Sequence, residues 1–156
     1  MLTEQQFRDE IRGFVDKMNE NNFHWQLKEV FSNNQMLFRL NSILQIGKYA
    51  RETHLKTLSD GRVITSETHI LYNSTYQVPT IWFNFFENNG SPLPFRTVIR
   101  DVLNISETEE SEASIRSRIS HYEHPFMGVL YYNIHPCNTS NIMKELNTDR
   151  SYLMSW

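Results

Sequence analysis

The sequence predicts an α+β fold: an N-terminal amphipathic helix, an antiparallel meander of strands, and helical pieces near the C-terminus. Three observations carry this. A helix-start signal at Thr3 precedes apolar residues at helical spacing. From about residue 23 to 88 the pattern changes to alternation broken by turn residues. After an irregular stretch, a short apolar run ends at a proline followed by residues that favour helix starts.

Thr3, with Gln6 three residues on, reads as a capping box, in which each side chain satisfies an amide the helix leaves without a partner. Phe7, Ile11, Phe14, Val15 and Met18 then share one face, predicting a helix over about 4–19 that Asn21-Asn22 ends. Phe23, Trp25 and Leu27 alternate with His24, Gln26 and Lys28 as a strand would. Ser32-Asn33-Asn34 reads as a turn, and Met36, Phe38 and Leu40 alternate again. Ser59-Asp60-Gly61 is a hairpin signal, because Asp-Gly accepts the positive φ angles of a tight turn. Val63 to Tyr72 and Tyr76 to Phe86 are the next two predicted strands. The aromatics of the second, Trp82, Phe83, Phe85 and Phe86, belong more naturally to a core than to a binding surface. Asn88-Asn89-Gly90-Ser91-Pro92 closes the meander.

Arg96 to Leu103 then reads as a short helix. Residues 106–112, with four glutamates among Ser and Thr, read as an exposed connection. Val129 to Ile134 is predicted as a short strand running into His135-Pro136-Cys137. A helix is predicted from Asn138 or Thr139, carrying Ile142, Met143 and Leu146, and a last apolar helical piece spans Tyr152 to Trp156. The 156 residues suffice for one domain around a single core.

Composition narrows the function. Aromatics reach 13%, which favours a packed core over disorder, and a mean hydropathy of −0.53 fits a water-soluble chain. Net charge is −3, with Lys and Arg scattered and no basic stripe of the kind nucleic acid needs. No apolar run approaches the roughly 18–20 residues that span a bilayer. Met1-Leu2-Thr3-Glu4 lacks the layout of a signal peptide. His24, His54, His69 and His121 show no metal-ligand spacing, and there is no glycine-rich phosphate loop. A single cysteine excludes an internal disulfide and favours the reducing cytosol or nucleus.

That cysteine, Cys137, is the candidate nucleophile. A lone cysteine is ordinarily a small buried hydrophobe. Here Pro136 precedes it and Asn138, Thr139, Ser140 and Asn141 follow, placing the thiol at a helix mouth, where the thiolate is favoured. His135 and His124 are candidates to add to that effect. In an extended segment His135 and Cys137 would share one face, a spacing that also suits a cysteine hydrolase with either histidine as base.

Three ordered segments give a sharper reading. Tyr76-Gln77-Val78-Pro79 opens the strand Ile81-Trp82-Phe83, Glu123-His124-Pro125 precedes Gly128, and His135-Pro136-Cys137 is followed by Thr139. Together they resemble the autophagy family of ubiquitin-like-conjugating enzymes, well over about residues 72–86 and 123–143 and loosely elsewhere. The resemblance implies a ubiquitin-conjugating-enzyme-like fold and one catalytic domain over 1–156, with helices after the cysteine. Cys137 would hold a modifier as a thioester, without a cofactor. The implied partners are autophagy-related protein seven as activating enzyme, autophagy-related protein twelve as modifier and autophagy-related protein five as target. The implied setting is the cytoplasm, with recruitment to the pre-autophagosomal structure.

One departure matters. Ordinary ubiquitin-conjugating enzymes carry His-Pro-Asn, and that asparagine is assigned to the oxyanion; here the cysteine takes its place. A substitute donor is needed. Tyr76 is the candidate, with Asn133, Asn138 and Thr139 as rivals, while His135 and Pro136 are read as shaping the loop. An open edge of the meander offers a place for strand addition by modifier or target. A non-enzymatic adaptor, with Cys137 buried, is the other alternative.

Overall fold

The computed structural model describes residues 2–31, 45–105, 111–137 and 153. Helix α1 spans Glu4–Glu20. The capping box is formed: Thr3 N–H donates to Gln6 Oε1 at 2.8 Å, and Gln6 N–H donates to Thr3 Oγ1 at 3.2 Å. Such a cap stabilises a helix by about 1 kcal/mol. Phe7, Ile11, Phe14 and Val15 form its buried face, and Asn21 caps its end.

Strand β1 (Gln26–Phe31) starts later than predicted. Asn22 takes a positive φ of 64°, and Asn19 ties down Trp25, donating to its carbonyl at 2.9 Å and accepting from its N–H at 2.8 Å. Phe23 therefore falls in the connection and is 45% exposed. The turn at 32–34 and the strand read over Met36 to Leu40 lie outside the described residues. Strand β2 (Gln45–Thr57) leads through Asp60-Gly61 into β3 (Val63–Asn73), with Gly61 at φ 84° as the hairpin signal requires.

Strand β4 is Val78–Phe86. Tyr76, expected at its start, lies instead in the turn between β3 and β4, because the ladder stops at Asn73↔Val78. After the Gly90 turn, α2 (Phe95–Thr97) runs into a π-helical turn, Val98–Val102, over the range predicted as helix. The end of the acidic stretch is helical rather than connecting. Ser111 Oγ accepts from Ser114 N–H at 3.2 Å and starts α3 (Glu112–Arg118). Two short strands follow, β5 (Ile119–Glu123), which the sequence reading missed, and β6 (Leu130–Ile134).

The sheet order is β1-β2-β3-β4-β6-β5, every pairing antiparallel. The first four strands are the expected meander; β6 then inserts between β4 and β5. This is an α+β fold consistent with that of ubiquitin-conjugating enzymes. Among the described residues β1 and β5 lie at the edges, and no helix is long and apolar enough to cross a membrane.

Alternation assigns the two faces. On one, Ala50 and Ile70 pack against α1, while Ile64, Phe83, Phe85 and Tyr132 pack against Leu93, Val98 and Val102. On the other, Tyr49, Leu71, Trp82 and Tyr131 form a separate cluster with Phe126 against it. Trp82, Phe83 and Phe85 are all buried, as the core reading of the aromatic strand expects. The helices predicted after Cys137 lie outside the described residues except for Leu153, which is helical and packs into the α1 cluster.

Candidate active site

β6 delivers the cysteine. It is held on both sides, by β4 through Trp82↔Asn133 and Phe83↔Tyr132, and by β5 along its length. His135 continues the β5 side one step further, its N–H donating to Arg118 O at 2.9 Å. The chain then turns at Pro136, and Cys137 is already helical. The segment is thus not extended through the cysteine, as the one-face argument assumed. The Cys137 N–H instead folds back onto His135 Nδ1 at 3.2 Å. A neutral His135 then carries its proton on Nε2. Cys137 is exposed, which removes the premise of the adaptor reading.

Tyr76 reaches the same place from the other side of the sheet's end. Its ring stands edge-on to His135, with centroids 5.6 Å apart at 76°. Tyr76, His135 and Cys137 are therefore neighbours through His135. Asn133 is buried on β6, and Asn138 and Thr139 lie outside the described residues.

His124 does not join them. It sits at the other end of β6, its N–H donating to Val129 O at 2.8 Å. The five residues of β6 separate it from His135, roughly 17 Å at the usual strand rise. The ring is buried among Tyr49, His69, Trp82, Phe126 and Tyr131, with Trp82 at 5.5 Å edge-on. It can serve neither as base nor as electrostatic aid to Cys137.

What His124 does is close a buried hydrogen-bond chain. Phe126 N–H donates to His124 Nδ1 at 3.2 Å. That leaves the His124 proton on Nε2, to donate to His69 Nδ1 at 2.9 Å. His69 Nε2–H then donates to Glu67 Oε1 at 2.8 Å. Tyr131 O–H donates to the same oxygen at 2.7 Å, and Arg51 Nη2 donates to Oε2 at 2.9 Å. Both histidines are neutral in this arrangement and every step is directional.

The charges follow. Burial would raise the Glu67 carboxyl, but donation from His69, Tyr131 and Arg51 outweighs it and lowers the pKa to about 2. Burial lowers His124 to about 4. Burial and the bond to Glu67 push the Tyr131 phenol well above its ordinary value. The Glu67-x-His69 spacing, two polar groups on one face of a strand, was the available sequence signal.

A protein family described as "Autophagocytosis associated protein, active-site domain" matches residues 6–156. The chain is similar to the "Ubiquitin-like-conjugating enzyme ATG10" of Dictyostelium discoideum, 31% identical over 110 residues, 60% of this chain and 47% of the relative. It is similar to the protein of the same name in Homo sapiens, 28% identical over 109 residues, 65% of this chain and 49% of the relative. A third, from Arabidopsis thaliana, is 30% identical over 100 residues, 56% and 43%. The chain spans about half the length of the curated relatives it matches.

Proposed function

This chain belongs to the autophagocytosis-associated active-site family, and on that premise we propose that it is a ubiquitin-like-conjugating enzyme acting through Cys137. In the first step the Cys137 thiolate attacks the carbonyl of the thioester that joins the modifier's C-terminus to an activating enzyme, and the activating enzyme's cysteine leaves as its thiolate. In the second, a lysine amine attacks the new thioester. The carbonyl oxygen becomes an oxyanion, the amine loses a proton, and the Cys137 thiolate departs as the isopeptide bond forms. The exposed thiol supports this reading, since both partners must reach it.

His135 acts by orientation. Its Nδ1 already accepts the Cys137 amide, so that atom is not available as a base. Tyr76 is the donor for the oxyanion: it carries an O–H, and its ring is held at the histidine next to the thiol. Asn138 and Thr139, adjacent to Cys137 in sequence, are the rival donors. The names of the relatives support the autophagy-related protein ten branch. The modifier is then autophagy-related protein twelve, received from autophagy-related protein seven and passed in the cytoplasm to a lysine of autophagy-related protein five.

The observation that carries this reading is the exposed cysteine at the end of an interior strand, its amide turned onto His135 beside Tyr76. The test is incubation with activating enzyme, ATP and modifier, followed by gels with and without reductant. A reductant-sensitive adduct lost in Cys137→Ala, and replaced in Cys137→Ser by an ester that survives reductant, is expected. No adduct with a competent activating enzyme would overturn the proposal.

A further inference from the structure

We infer that Asn73 is a positioning residue for the reaction, because its side chain builds the turn that holds Tyr76 against His135. The inference rests on the role given to Tyr76 above. Asn73 is the last residue of β3, paired with Val78, the first of β4. Between them the chain must turn while aiming one large aromatic ring. Asn73 Oδ1 accepts from the N–H groups of both Thr75 and Tyr76, each at 3.0 Å, doing the work of a backbone carbonyl.

Two further constraints act on the same turn. Gln77 sits at φ 55°, a left-handed conformation that a side chain disfavours. Its carbonyl accepts from Leu2 N–H at 3.0 Å, and the Leu2 carbonyl accepts in turn from Tyr72 O–H at 2.8 Å. Leu2 is 3% exposed, so this anchor is fixed in the core. The turn itself is mostly exposed, with Ser74, Thr75 and Gln77 facing water. An exposed connection of four residues needs little of this restraint for folding. The residue that it immobilises is Tyr76, whose ring orientation decides where its hydroxyl lies.

Asn73→Ala removes the shared acceptor, and Asn73→Asp retains it. The experiment is single-turnover discharge of preloaded thioester onto the target lysine, scored per charged molecule so that any misfolded fraction drops out. For two ordinary hydrogen bonds, Asn73→Ala should slow discharge by about five- to thirtyfold. The loss should appear in kcat at saturating acceptor rather than in KM. Asn73→Asp should restore most of the rate, and Asn73→Ala should add nothing in a Tyr76→Ala background. Normal discharge by Asn73→Ala beside a slow Tyr76→Ala would overturn the inference and leave the role of Tyr76 standing. Additive losses in the double variant would overturn it too, since Asn73 would then act elsewhere. Normal discharge by Tyr76→Ala would remove both.

Discussion

Tyr76 meets His135 edge-on at 5.6 Å, and His135 holds the amide of Cys137, so a residue from the β3–β4 turn reaches the cysteine through one imidazole. Tyr76→Phe keeps the ring contact and deletes the hydroxyl. Discharge of the preloaded thioester onto lysine should fall about a hundredfold, the usual cost of one oxyanion donor. Tyr76→Ala should fall at least as far. Quenched gels of the two variants measure this, and normal rates in both would pass the role to Asn138 or Thr139.

Glu67 gathers three donors, so Glu67→Ala leaves Arg51, His69 and Tyr131 without their acceptor. The expected loss of stability is about 3 kcal/mol, read from urea unfolding. A loss below about 0.5 kcal/mol would mean that water replaces the carboxylate without cost.

Acid should act on the same cluster. His124 in an unfolded chain takes its proton near pH 6.5, and in the folded chain only near 4. Between those values the unfolded state binds the extra proton. Stability is therefore complete above pH 6.5 and falls by about 3 kcal/mol as pH drops toward 4. The main physical reason is burial of the ring, and a proton on Nδ1 would also face the Phe126 N–H, donor against donor. Glu67, at about 2 against 4.5, adds a second loss below pH 4.5. Urea midpoints measured from pH 7.5 to 4.5 should show the first slope, and His124→Phe should flatten it. A wild-type midpoint that stays level across that range would show that His124 takes its proton equally in both states.

Gly47 passes under Phe126 so closely that a Cβ there would overlap the ring, which also stacks on Tyr49 at 5.6 Å. Gly47→Val should cost about 1–3 kcal/mol and displace the turn containing His124. Thermal unfolding measures the cost, and Phe126→Ala in the same chain should relieve part of it.

Local physics was readable in the sequence and long-range pairing was not. Thr3, Gln6 and the Phe7 face fixed α1 because capping and helical spacing act over a few residues. Gly61 marked its hairpin for the same reason. Ser111 was hidden in an acidic stretch whose polarity looked like a connection, so α3 and β5 went unseen. Glu67 and His69 were read only as part of the strand Val63 to Tyr72, since their partners Tyr131 and His124 lie 64 and 55 residues further on. At the cysteine, the neighbours of Cys137 pointed to an exposed thiol, and its exposure agrees. The sequence could not show that His124 and His135 occupy opposite ends of one strand, nor that Tyr76 lies in a turn.

Trp82 stands 5.5 Å from the His124 ring. A protonated imidazole quenches a neighbouring indole far more strongly than a neutral one. The protein thus carries an optical gauge of its own interior: a drop in emission on acidification, absent in His124→Phe, would time the charging of the buried cluster against the loss of the fold without any added label.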